Sequence, residues 1–193
     1  MLKALQSAAA GLAELPELVR GSARELRSLR SLTGGSMLAA LSVILNQFTI
    51  FFSQLLRLSF TFLAIGVSGM LFGPVLTGAL GAVTDVLKYL VRNDGGFFFP
   101  GFTLNEFLRG FLYGLFLYRR PVTFGRVFAA QLSILLTITL LLNPLWLSLM
   151  YGQAFWALVS MRLVKNLILL PVESAMLFFL LKKVAALRPI RMA

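Results

Sequence analysis

From Ser36 to Leu181 the chain is a succession of apolar runs parted only by short turn clusters, and that feature rules out most folds. Of its 193 residues 59% are apolar and 13% charged, whereas soluble domains average roughly 45–50% and about 25%. Too few polar residues remain to clothe a soluble surface, and the mean hydropathy of +0.87 marks a chain solvated by lipid. The runs divide best as residues 36–52, 57–72, 74–91, 103–118, 126–149 and 154–181. A spanning helix needs about 20 residues, so the second and fourth are short and the last is long enough to tilt. The expectation is an all-α integral membrane bundle of six transmembrane helices over residues 35–185, between a basic arm (1–34) and a basic tail (186–193). Gly73-Pro74, Asn93-Asp94-Gly95-Gly96 and Arg120-Pro121 are the turn signals.

An even number of spans places both termini on one side of the membrane, and the basic residues say which. Lys3, Arg20, Arg24, Arg27 and Arg30 in the arm, Arg119, Arg120 and Arg126 in one loop, and Lys182, Lys183, Arg188 and Arg191 at the end hold most of the 18 Lys and Arg. By the positive-inside rule they mark the cytoplasm, which predicts a multi-pass cell-membrane protein with both termini inside. The arm has no apolar run ahead of its arginines, so it does not read as a cleaved signal peptide. Leu12, Leu15, Leu18, Val19, Leu26, Leu29 and Leu32 recur every three or four residues among Arg and Glu, the pattern of an amphipathic helix on the cytoplasmic surface.

The other six cations, Arg57, Lys88, Arg92, Arg109, Arg162 and Lys165, fall in or near the external half. A cation within a span costs about 2.5–3.5 kcal/mol on insertion scales, so its presence asks for a partner. Snorkelling, or pairing with Asp94, Glu106 and Glu173, is one answer, and Glu106 and Arg109 stand at i, i+3. An anionic ligand taken from outside is the other. Pairing is the simpler account for Lys88 and Arg92; for Arg162 and Lys165, next to Asn166, the ligand is preferred. Asp85 and Glu173 read as structural acids, Asp85 with Lys88 as a partner.

The external connections are too aromatic for ordinary loops. Phe97, Phe98, Phe99 and Phe102 crowd one of them, Phe51, Phe52, Gln54 and Arg57 another, and Asn143, Pro144, Trp146, Tyr151 and Gln153 a third. Such rings lie in the headgroup belt or fold inward to stack on a planar ligand. Asn143 beside Trp146 is either a cap on a Pro-kinked helix end or an amide offered to a heterocycle. With no cysteine and no histidine, thiolate nucleophiles, disulfides, Cys or His metal ligands and imidazole acid–base catalysis are excluded. No enzyme activity and no cofactor are expected. The charge of +11 is read as lipid contact rather than nucleic acid.

Leu71-Phe72-Gly73-Pro74, Gly81-Ala82-Val83-Thr84-Asp85, Phe99-Pro100-Gly101-Phe102-Thr103-Leu104 and Gly110-Phe111-Leu112-Tyr113-Gly114-Leu115-Phe116, within six spans, resemble the S components of energy-coupling factor vitamin transporters, the folate-specific family above all. The resemblance runs from about Ser36 to Lys183. It implies a membrane subunit that binds folate outside and delivers it inward with a coupling transmembrane subunit and two ATPase subunits. No phosphate-binding Gly-x-x-x-x-Gly-Lys-Ser/Thr occurs in the chain itself. In the family an Ala-x-x-x-Ala motif on the first span meets the coupling subunit; here Ser36-x-x-x-Ala40, with Ala39, takes its place. The expected binding residues are Arg57, Phe98, Phe99, Phe102, Thr103, Arg109, Asn143, Trp146, Tyr151, Arg162 and Lys165. The rings would stack on the pterin, Asn143 and Thr103 would bond its edge, and Arg162 and Lys165, then Arg109 and Arg57, would take the carboxylates. An S component for another planar vitamin or a queuosine-type deazapurine precursor, and a non-transporting scaffold similar to the cell-shape protein MreD, are the alternatives.

Overall fold

The computed structural model describes residues 15–48, 50–51, 57–91, 98–152 and 154–187. Expectations resting on Phe52, Gln54, Arg92, the 93–96 turn, Phe97, Gln153 and the two chain ends therefore lie outside the described residues. Helix α1 (Leu15–Glu25) is followed by α2 (Leu29–Gln47), whose start is capped by the Ser28 side chain. The two axes differ by 91°. A two-residue hairpin, β1 (Ile50–Phe51) antiparallel to β2 (Arg57–Leu58), leads into α3 (Thr61–Val91). Then come α4 (Pro100–Leu117), α5 (Phe124–Ile134), a π-helical run (Leu135–Leu142) continuous with α6 (Asn143–Tyr151), and α7 (Phe155–Leu187).

α3 is two spans. Gly73, at φ 81° and ψ −175°, breaks it ahead of Pro74, and the Ser68 and Thr77 hydroxyls meet at 3.1 Å. In a straight helix nine residues would hold them about 13 Å apart, so the chain doubles back at Gly73. With α2, α4, the rod made by α5, the π run and α6, and α7, this gives the six passes that the apolar runs predict. The boundaries differ most at the first two spans. The first span ends at Gln47 rather than near residue 52, and the second begins at Thr61 rather than 57, because the hairpin occupies the interval. At its other end α2 starts seven residues early and passes straight through Gly34-Gly35.

Glycine sets the packing distances. A Cβ on Gly69 would lie 2.9 Å from the Gly114 nitrogen, one on Gly81 2.4 Å from the Glu106 carbonyl oxygen, and one on Gly110 2.4 Å from the Thr77 carbonyl oxygen. Both arms of α3 thus lie backbone to backbone on α4. From the sequence, Gly66, Gly69, Gly73, Gly78 and Gly81 read as tight packing of the second and third spans; in the fold Gly69, Gly78 and Gly81 meet α4, and Gly66 abuts Leu177 of α7. Around this slab the buried side chains of Tyr113, Val127, Ala130, Ile138, Leu177 and Leu181 form one core. The outer faces of α6 and α7 show Leu149, Val164, Ile168 and Phe179, as helices bathed in lipid do.

Candidate functional site

Two groups of side chains meet at and below the end of the bundle that carries the hairpin. The upper one is built on the first turns of α4. Phe99 is its N-cap, in an extended conformation, and Pro100 supplies the first helical residue, whose missing N–H costs nothing there. Gly101 follows because a Cβ would fall 2.3 Å from the Phe99 ring and 2.8 Å from Trp146. Without it Phe99 closes on Trp146 (ring centroids 5.5 Å, tilted) and edge-on to Phe102 (5.9 Å). Beneath the rings, Trp146 Nε1 donates to Asn105 Oδ1 at 3.2 Å, and Asn105 Nδ2 donates to Asn143 Oδ1 at 3.0 Å. Asn105 is only 3% exposed; a buried amide of this kind is held by satisfying both of its ends.

Thr103 Oγ1 donates to Asp85 Oδ2 at 2.7 Å, which ties α4 to the second arm of α3. Asp85 therefore bonds a hydroxyl on the neighbouring helix, where the sequence offers Lys88 one turn away. Phe98 stands edge-on to Tyr89 at 5.4 Å.

Four residues along α4 from Asn105 comes Arg109, and four further Tyr113, so the three share one helix face. That face leads into a cavity of about 170 Å³ bounded by Ser59, Thr61 and Phe62, by Arg109 and Tyr113, by Gln131 and Thr139, and by Asn166, Leu170 and Glu173. Arg109 Nη1 is 2.6 Å from Glu106 Oε1, the pair expected from their spacing. Tyr113 donates its hydroxyl to Gln131 Oε1 at 3.0 Å, while Gln131 Nε2 is buried with no hydrogen-bond partner among the described residues. The cavity thus carries a cation, a carboxyl group and an unspent amide donor, among further polar groups from Ser59, Thr61, Thr139 and Asn166.

The fold brings Phe99, Phe102, Asn143 and Trp146 together, sets Thr103 beside them and lines the cavity with Arg109. It does not bring Arg162 or Lys165 to the cavity wall. Their neighbour Asn166 is there, its Nδ2 bonded to the Arg162 carbonyl oxygen at 2.7 Å. Tyr151 is exposed at the end of α6, and Arg57 lies in β2 opposite Phe51. Sequence reasoning missed Asn105, Tyr113 and Gln131. The signal for the first two was present, since both share the helical spacing of Arg109. Glu173, read as a structural acid, faces the same cavity as Arg109. Among the described residues no cluster of acidic side chains suited to a metal ion occurs. On the outer side of α2, Ser36 and Ala40 are exposed and Ala39 half-buried, next to exposed Met37, Leu41 and Ile44, while Ser31, Gly35 and Ser42 face inward.

Residues 30–181 match the family described as ECF transporter, substrate-specific component. The chain is 34% identical over 143 residues to the folate transporter FolT of Clostridium novyi, covering 74% of this chain and 83% of that one. It is 32% identical over 152 residues to the folate transporter FolT of Leuconostoc mesenteroides, covering 76% and 81%. A crystal structure of FolT bound with folic acid superposes with a TM-score of 0.73 at 38% identity, over 81% of this chain and 95% of the other. Sequence profile and architecture agree, and the chain belongs to the substrate-specific components of ECF transporters.

Proposed function

We propose that this protein captures folate at the hairpin end of the bundle, facing the cell exterior with both termini in the cytoplasm, and delivers it inward in complex with a coupling subunit and two ATPase subunits. The observation that carries this reading is the continuous polar face Asn105, Arg109, Tyr113, which runs from the ring cluster at the mouth into the cavity. Folate is a planar pterin joined through an aromatic linker to a dicarboxylate, and it needs both stacking surfaces and cations. Phe99, Phe102 and Trp146 offer the rings. Arg109 offers a guanidinium partly withdrawn from solvent and oriented by Glu106, and Arg162, Lys165 and Arg57 are further candidates for the carboxylates. The relatives named for folate transport support this choice of ligand over another planar vitamin.

The cavity is smaller than the roughly 300–1,000 Å³ of a pocket that encloses a drug-sized ligand, so it takes one end of the molecule and the aromatic mouth takes the rest. Ser36 and Ala40, small and exposed on the outer side of α2, with Ala39 half-buried at their edge, are the surface offered to the coupling subunit, since small residues allow a second helix to approach closely.

Calorimetric titration of the detergent-solubilised protein with folic acid, a reduced folate, pantothenate and a deazapurine precursor tests the reading. Saturable binding of the folates alone is expected, weakened at least tenfold by Trp146→Ala and by Arg109→Ala. Binding of a neutral heterocycle in preference to folate, with no dependence on the cations, would transfer the site to another ligand.

A further inference from the structure

The arginine arm has no part in the site just described, and α1 lies ahead of the family match, which begins at residue 30. It is fastened to the bundle chiefly through Ser22. Ser22, fully buried, donates its hydroxyl to the Phe72 carbonyl oxygen at 3.0 Å and accepts from the Val75 N–H at 3.0 Å. These are the backbone groups that the break at Gly73 leaves without helical partners. Glu25 is tied as well, accepting from Ser31 and, at 3.4 Å, from the Tyr118 hydroxyl. Because the axis of α1 is turned 91° from that of α2, a spanning α2 sets α1 in the plane of the membrane surface.

The opposite face of α1 is basic. Arg20 and Arg24 lie one turn apart, each about 200° around the axis from Ser22, and Arg27 and Arg30 follow. All four are exposed, and no described residue pairs with them. Three other cations at this end are engaged: Arg119 lies over the Tyr118 ring at 5.1 Å, Arg126 bonds the Pro121 carbonyl oxygen, and Lys182 lies over the Phe178 ring at 5.9 Å. The described acids of the arm are Glu17 and Glu25, and Glu25 is spent on Ser31 and Tyr118.

We infer that α1 and the turn after it form a binding surface for anionic phospholipid headgroups, docked through Ser22 into the helix break, with Arg20 and Arg24 on α1, Arg27 in the turn and Arg30 at the start of α2 presented to lipid phosphates. A basic row held in the interfacial plane attracts acidic lipid. Here, unlike in a free amphipathic helix, the row is pinned to the backbone of the bundle, so headgroups bound to it also hold the break closed.

The test uses the full chain in nanodiscs of phosphatidylcholine alone or with three parts in ten of phosphatidylglycerol, followed by thermal unfolding. Phosphatidylglycerol is expected to raise Tm by roughly 3–10 °C. Replacing Arg20, Arg24 and Arg27 together by Gln should remove most of that rise, and so should 0.5 M salt, which shortens the reach of exposed charge. A control replacing Arg126, Lys182 and Lys183 by Gln, the same charge change at the same end, should keep it. Equal loss in both triple variants would show a diffuse charge effect and overturn the assignment, as would a Tm indifferent to phosphatidylglycerol. Ser22→Ala should halve the rise or more; an undiminished rise would sever lipid binding from docking. Stabilisation by a soluble acidic polypeptide but not by phosphatidylglycerol would give the surface to a protein partner instead.

Discussion

Asn105 serves two partners from one side chain, its oxygen accepting from the Trp146 indole and its nitrogen donating to Asn143. Removing it strands a half-buried donor and a half-buried acceptor on a different helix, and an unmet group costs up to about 1–3 kcal/mol when fully buried. Asn105→Leu fills the volume without making either bond. It is expected to lower the thermal midpoint by several degrees and to weaken folate binding about tenfold or more, because Trp146 loses the contact that fixes its ring. Asn105→Asp keeps the acceptor for Trp146 but not the donor for Asn143, and should fall between the two. Thermal denaturation and titration calorimetry on the same preparations separate the stability loss from the binding loss.

The π run of the fifth span places Asn143 and Trp146. The Asn143 N–H reaches back to the Ile138 carbonyl oxygen, five residues away, just ahead of Pro144. Pro144 has no N–H for a regular ladder, and its ring would press on the carbonyl four residues before it; the wider turn accommodates both. The extra residue in the turn also sets the rotation of α6 relative to α5. Deleting Leu141, exposed to lipid within the run, should restore α-helical register. Asn143 and Trp146 would then rotate by about 100° relative to Gln131. Circular dichroism is expected to show unchanged helix content while folate binding disappears; retained binding would mean that the π run is passive.

This element shows where sequence reading stops. Gly73-Pro74 and the Glu106–Arg109 pair were legible because their causes are local, a proline and a helical spacing. The short hairpin was not, since Phe48, Ile50 and Phe51 are as apolar as any span and only the tertiary fold cuts α2 at Gln47. Nor was the cavity. Gln131 reads as an incidental polar residue until the fold sets Tyr113 beside it, and the preference for Arg162 and Lys165 over Arg109 followed from their place near Asn166, which says nothing of which cation faces inward.

For the molecule as a whole, orientation is the property that charge predicts and that chemistry tests directly. The chain has no cysteine, so a single introduced thiol reports without background. Ala154→Cys, between α6 and α7, should react with a membrane-impermeant maleimide on intact cells. Thr123→Cys, at the start of α5, should react only after the membrane is opened. The reverse pattern would place the arginine arm outside and the aromatic mouth inside, and would exclude uptake through this face.

The doubled α3 bears on how the protein is made. Its first arm, residues 61–72, is about 18 Å long, too short to cross roughly 30 Å of hydrocarbon alone. Much of it is buried within the bundle rather than set against lipid. A translocon that tests segments singly has little to recognise there, so the arm enters as one half of a helical hairpin with residues 74–91. Its glycines meet their backbone partners only when α4 has been synthesised. Between those two events the nascent chain exposes unpacked backbone within the bilayer, and it is in that interval, rather than in the finished bundle, that quality-control proteases have their best opportunity.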